Sequence, residues 1–205
     1  MQHISYENQI ERLNRVISAM KDFARLPDDR LRTRPAPGAW SILETVEHMN
    51  KAYDPHYRQN LVNVLAKSPK TEAAPTEFKP GWLARLSCNS MRPKDGERKM
   101  KMKTLGKFQP GREETLDPEA VFAAFFDHQQ HLKAQILEAR KRAVGRRKLS
   151  SAIGPLVRFT VPEAIEFVLS HEERHVLQCR ETLEQIESLP AKKSEHPDST
   201  VKRHE

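Results

Sequence analysis

The stretch TVPEAIEFVLSHEERHVLQCRETLEQI, residues 160–186, decides the fold. Thr160 or Val161 stands outside the helix, and Pro162 and Glu163 occupy its first turn. There a proline needs no N–H partner and an acid faces the helix dipole. Ile165, Val168, Leu169, Val176, Cys179, Leu183 and Ile186 recur at three- and four-residue steps, so one face of a long helix is apolar. The pattern stops before Pro190, which predicts a helix over 161–189.

Working outward, the same start signal appears upstream as Asp117-Pro118-Glu119, an N-cap followed by a proline at the first helical position. Val121, Phe122, Phe125, Phe126, Leu132, Ile136 and Ala139 give this segment its apolar face, and Gly145 ends a helix predicted over 118–143. Further back, Pro35, Pro37 and Gly38 forbid an early start, so another helix is expected over 40–66 with Ser41 or Gly38 as its cap. Its stripe is Ile42, Val46, Met49, Tyr53 and Tyr57, with a kink or distortion at Pro55. The N-terminal helix, 6–25, carries Ile10, Leu13, Ile17 and Met20 on one side and breaks at Leu26-Pro27.

Between residues 67 and 116 the periodicity stops. Five prolines punctuate a charged stretch whose one apolar patch is Trp82–Leu86. So long a connection is expected where it crosses a domain from end to end or covers a site, and in a bundle it lets successive helices run parallel. No strand alternation is sustained and no internal repeat is evident. The reading is an all-α domain over 1–189, followed by a polar, basic tail over 190–205 with nothing apolar to bury, hence expected to be disordered.

Composition narrows the function classes. The mean hydropathy is −0.74 and 31% of the 205 residues are charged. No apolar run approaches the roughly 20 residues that span a bilayer, and no signal-peptide core opens the chain, so a cytoplasmic location with no membrane partner is expected. Cys88 and Cys179 are read as reduced thiols rather than a disulfide framework. The net charge of +7 resides in Arg92–Lys103, Arg140–Lys148 and the tail. No aromatic residue is interleaved with these clusters as a base-stacking platform requires, so they are read as solvated surface rather than a nucleic-acid interface.

The chemistry centres on His171-Glu172-Glu173-Arg174-His175. Histidines four apart on a helix point the same way, about 40° apart around the axis, which suits two imidazoles on one metal. Glu172 falls near the centre of the apolar stripe, an odd place for a charge without a special partner. The stretch also matches HExxH, the zinc-protease motif. Gln178 and Glu181 stand where that motif's extension needs Gly and His, however, and no sheet is expected ahead of the helix to bind a peptide. His48 lies off the stripe of its helix, one turn from Glu44, and spacing alone reads it as a surface histidine. His128 and His131 are read as structural or exposed, and Cys179 as core.

Two stretches carry a family resemblance. Arg34-Pro-Ala-Pro-Gly-Ala-Trp-Ser-Ile-Leu-Glu-Thr-Val-Glu-His48 resembles the second-helix signature of the DinB-like superfamily, in which a Trp-Ser precedes a helix bearing the first metal-ligating histidine. Ser170-His-Glu-Glu-Arg-His-Val-Leu-Gln178 resembles its last-helix signature, where two histidines four apart complete the triad. Lys99–Lys103, Phe108-Gln-Pro and Leu116-Asp-Pro-Glu-Ala resemble the linker of one branch. The resemblance covers most of residues 5–189.

What it implies is a four-helix bundle, up-down-down-up, with a long crossover between helices two and three. It also implies a divalent metal, zinc or nickel, on His48, His171 and His175. The family includes thiol transferases that use bacillithiol or mycothiol, and its members are often dimers. The expected function is therefore a metal-dependent thiol transferase or hydrolase acting on a small molecule, such as a low-molecular-weight thiol, with Glu172 as an acid/base or supporting residue. Arg174 and Arg58 are candidates for an anion clamp. The alternative class is a non-catalytic metal-binding or stress-related interaction protein.

Overall fold

Capping chemistry starts the long helices close to where the sequence places them. A computed structural model describes residues 3–188 except 55, 95, 99–102, 146 and 153. The expected tail, 190–205, lies outside the described residues.

Helix α1 runs Tyr6–Phe23, and its N-cap Ser5 accepts from the Asn8 N–H. A short α2, Asp28–Arg32, follows. Helix α3 spans Ile42–Tyr53 and begins with a capping box. Ser41 Oγ accepts from the Glu44 N–H, and the Glu44 carboxylate accepts from the Ser41 N–H, so two orphan donors are satisfied reciprocally.

The single helix expected over 40–66 is two. α3 ends with Asp54 as its C-cap, and α4 runs His56–Ala66. Pro55 itself lies outside the described residues.

Helix α5, Trp82–Met91, sits in the stretch expected to lack periodicity, which is a correction. Its buried side is Ala84, Cys88 and Met91, whereas Trp82 and Leu86, the residues that mark the patch in the sequence, face outward. Small residues at the packing positions hide the stripe. Helix α6 spans Pro118–Ala139, with Asp117 as N-cap and Pro118 in the first turn. It stops short of Gly145, whose φ of 54° falls in a later turn. Helix α7 runs Val161–Ser188. The Glu163 carboxylate accepts from the backbone and hydroxyl of Thr160, and reaches across to the N–H of Gly81.

The strands that form are short, and one pair stands directly ahead of α7, where no sheet is expected. β1, Ile4–Ser5, pairs antiparallel with β2, Glu77–Phe78. β3, Lys148–Ser151, and β4, Gly154–Thr160, form a hairpin that leads directly into α7. Its alternation is too short to stand out: Leu149 and Phe159 are buried while Leu156 points to solvent.

The chain is mostly helical. α1 packs against α6 and α7, α3 packs against the same two helices, and α5 lies on α7. Two apolar clusters result. One gathers Leu13, Tyr53, Tyr57, Leu132, Ile136, Ile165 and Leu169. The other gathers Val16, Met20, Ile42, Val46, Phe122, Phe125, Val176 and Cys179. Between them runs a belt of buried polar groups: Arg12 on α1, His48 and Asn50 on α3, His128 and Gln129 on α6, and Glu172, Arg174 and His175 on α7. Burying polar groups across a core is costly unless they are partnered, so the belt is where function is sought. No helix among the described residues is long and apolar enough to cross a membrane.

Candidate metal centre

α3 contributes His48, and α7 contributes His171 and His175, one turn apart. The Nε2 atoms converge: His48 to His171 at 3.2 Å and His175 to His171 at 3.1 Å. One nitrogen from each ring lies within 4.8 Å of the others. Tetrahedral zinc with bonds of 2.0–2.1 Å would hold its nitrogens about 3.3 Å apart, close to this spacing.

The outer nitrogens fix the rings. His48 Nδ1 lies 2.7 Å from the Phe108 carbonyl, and His175 Nδ1 lies 3.1 Å from Gln178 Oε1. Gln178 in turn donates to Thr45 Oγ1, tying α7 to α3. With both Nδ1 atoms donating to oxygens, the Nε2 atoms of His48 and His175 carry lone pairs. His171 Nε2 can donate a proton to one of them and no more. At least one close N···N contact therefore has no hydrogen bond across it, and a shared cation would give all three nitrogens a partner. The donor set and its anchored outer nitrogens thus fit a divalent metal.

Burial keeps the rings uncharged. His48 is pushed below the usual imidazole range by desolvation, partly offset by Phe108. His171 falls from 6.5 to about 3, and His175 falls well below 6.5, both chiefly through desolvation and then the charge of neighbouring histidines. Neutral imidazole is the form that ligates a metal.

His48 escapes periodicity because α3 is packed on two sides, by α6 and α7. A helix with two packed faces has no single stripe. Trp40, the aromatic of the Trp-Ser pair, packs on the His48 ring with centroids 4.9 Å apart. The segment around Phe108, within the long connection, crosses this site, and Lys51 donates to the next carbonyl, Gln109.

Glu172 projects into the polar belt. Its Oε1 accepts from Gln129 on α6 at 2.8 Å, while Oε2 has no hydrogen-bond partner among the described residues. Burial pushes its carboxyl up from 4.5 to about 8. Gln129 carries no signal in the sequence, where it is one polar residue beside an apolar face.

The remaining candidates lie elsewhere. His128 packs on Tyr53, with ring centroids 5.5 Å apart, and His131 faces Asp127 in an exposed pair. Arg58 also pairs with Asp127. Cys179 is wholly buried, its thiol pushed up to about 12, and both cysteines are free. The triad, Glu172 and Arg174 line a common cavity of about 700 Å³, within the range of small-molecule sites.

These shifts imply a pH dependence whose sign follows from proton counting. Below pH 6.5 the unfolded chain protonates histidines that the fold holds neutral, so stability falls as pH drops from 6.5 toward 3. Glu172 acts oppositely. From 4.5 to about 8 the fold retains a proton that the unfolded chain releases, so stability falls as pH rises through that window. For metal-free protein, urea midpoints should therefore peak near pH 6–7, where the three-histidine slope gives way to the single-carboxyl one. Glu172→Gln should remove the decline above the peak, a gain of about 1–3 kcal/mol at pH 8. An unchanged decline in that variant would show that Glu172 is not its source.

The family model of the DinB superfamily matches residues 9–179, a span that includes all three histidines. No curated protein and no solved structure matches the chain.

Proposed function

The chain belongs to the DinB superfamily, and on that premise we propose that it is a cytoplasmic metal-dependent enzyme, a thiol transferase or hydrolase acting on a small molecule. The observation that carries this reading is the convergence of three imidazole nitrogens, two of them from buried residues, in the lining of one cavity. His48, His171 and His175 would hold zinc or nickel. The helices α1, α3–α4, α6 and α7 would form an up-down-down-up bundle, with the long connection crossing from α4 to α6.

Three protein ligands leave coordination positions open, the arrangement of a catalytic rather than a structural site. Bound there, a divalent cation supplies Lewis acidity, and with it a water or small thiol ionised at neutral pH. Because the imidazoles are uncharged, they leave the full charge of the ion to act on that nucleophile. The Phe108 carbonyl and Gln178 hold the outer nitrogens of His48 and His175, so these rings keep their orientation while substrate enters.

Glu172 is assigned the acid/base role. Gln129 positions one carboxyl oxygen, leaving the other available for a proton, and a carboxyl pushed up to about 8 is matched to proton transfer near neutrality. The HExxH protease reading finds less support. The third histidine comes from α3, and Glu172 is held by a core glutamine rather than left free beside a peptide cleft.

The test is metal-dependent turnover across a panel of small thiols with electrophiles, and of esters. Glu172→Gln should lower kcat by about 10²–10⁴-fold, the usual worth of a general acid or base, with bound metal unchanged. Loss of metal in that variant would make Glu172 a ligand instead. Stoichiometric metal with no turnover in any arm would favour a non-catalytic metal-binding protein.

A further inference from the structure

α3 and α7 run antiparallel past the triad. Thr45 Oγ1 accepts from Gln178, His48 further along α3 meets His171, and Tyr57 beyond α3 lies against Phe167 with ring centroids 6.3 Å apart. The cavity that holds the histidines follows this pairing, so its lining divides on either side of them. One side has Pro37, Gly38, Trp40, Gln178, Thr182 and Gln185. Pro37, Gly38 and Gln185 are exposed, so the cavity opens here. The other side has Ala52, Tyr53, Tyr57, Ala152, Phe167 and Val168, all buried except the half-buried Ala52.

The inner side offers apolar surface. Tyr53 donates its hydroxyl to Gln135 Oε1, and the Tyr57 hydroxyl bonds Ser151 Oγ and accepts from the Ala152 N–H. With both hydroxyls held by the surrounding protein, the two phenols present rings, beside the Phe167 ring and the methyls of Ala52, Ala152 and Val168. Glu172, next to His171 along the chain, adds a polar group where the two sides meet. Space walled by apolar groups is poorly hydrated and is filled favourably by an apolar guest.

We propose that this inner side is a chamber for an apolar group of the substrate, an alkyl or aryl group a few carbons long. The reacting atom then sits at the histidines, and the polar part of the molecule reaches the open side. This rests on reading the triad as a metal site and names the substrate class for it. An α-helix rises about 1.5 Å per residue, so Phe167 lies about 6 Å along α7 from His171. That depth suits a few carbons rather than a long acyl chain, and Ala152, held at the Tyr57 hydroxyl, walls the chamber there.

Straight-chain hydroxamates test the proposal, because the head binds zinc and the tail reports on the chamber. Calorimetric titration of the zinc-loaded full chain with acetohydroxamate, butanohydroxamate and hexanohydroxamate should show affinity rising about fourfold per methylene, the worth of burying a CH₂. The gain across the series is then about 10²-fold. Filling the chamber, by Ala52→Leu or separately by Ala152→Phe, should cut the ratio of hexanohydroxamate to acetohydroxamate affinity about tenfold or more. Zinc content and the circular dichroism spectrum should stay unchanged in both variants. Affinity that ignores tail length overturns the proposal. A ratio that survives both fillings also overturns it, because the tail would then lie on the open side against Trp40. The zinc-free wild-type chain gives an independent reading: 1-hexanol should shift the methyl NMR signals of Ala52, Ala152 and Val168 and leave that of Ala39, on the open side, in place. Shifts at Ala39 alone, or at none of the four, overturn the proposal as well. Failure of the wild-type chain to take up zinc would instead count against the triad, and the hexanol titration would still decide the chamber.

Discussion

Alanine in place of His48, His171 and His175 together should abolish stoichiometric zinc binding, and each single substitution should weaken it by about 10²-fold or more. A neutral ligand at about 2.0–2.1 Å is lost each time, and water replaces it poorly. The three rings are not equivalent. His171 Nε2 faces both of the others, at 3.1 and 3.2 Å, so its loss removes the member that joins α3's histidine to α7's. His171→Ala should therefore be the most damaging single change. Metal content after equilibration with zinc, followed by chelator competition, gives the reading. Because metal binds only the folded chain, zinc should also raise the wild-type unfolding midpoint, by about 2.7 kcal/mol in stability at a hundredfold excess over Kd. The triple variant should show no such rise. Equal zinc uptake by wild type and the triple variant would end the assignment of these residues.

Glu166→Ala should be the most destabilising single substitution among the buried charged residues, at about 3–5 kcal/mol. Glu166 and Arg12 each have a side chain 7% exposed. One Glu166 oxygen pairs with both Arg12 and Arg92, and the other lies 3.4 Å from the Gln9 amide nitrogen. Arg12 also reaches Glu173 through two hydrogen bonds, at 2.7 and 2.8 Å. Removing Glu166 therefore leaves the buried Arg12 with Glu173 as its remaining carboxylate and takes a carboxylate from Arg92, whose side chain is 35% exposed. Breaking a buried pair costs more than the pair contributes, because the surviving charge remains desolvated. Urea unfolding of the metal-free protein measures the effect separately from zinc. A loss below about 1 kcal/mol, the size of a surface pair, would show that solvent reaches the cluster.

Helix starts were legible in the sequence because they are local. Ser41 with Glu44, Asp117 with Glu119, and Thr160 with Glu163 satisfy backbone donors within one turn, so residue type and spacing suffice. The long stripe of α7 was legible for the same reason, and His171 and His175 with it, because four residues of helix set their common direction. The mostly helical character follows from these segments.

Contacts between distant segments were decided only by the tertiary structure. On α1 the sequence suggests an inward face of Ile10, Leu13, Ile17 and Met20, yet Ile10 and Ile17 are only partly buried while Gln9 and Arg12 are fully so. The burial of Arg12 depends on Glu166 and Glu173, more than 150 positions away. The short α5 and the β3–β4 hairpin bury too few large side chains to register as periodic, and they are stabilised by the helices they lie against.

His48 shows the division most clearly. Its spacing places it outside the stripe, and only the family resemblance brought it into the triad. Its direction is set by packing on both sides of α3, by the Phe108 carbonyl 60 residues away, and by His171 123 residues away. Local spacing determines which way a side chain leaves its own helix. What it meets there depends on which other helices pack against that face, and no single segment of the chain contains that information.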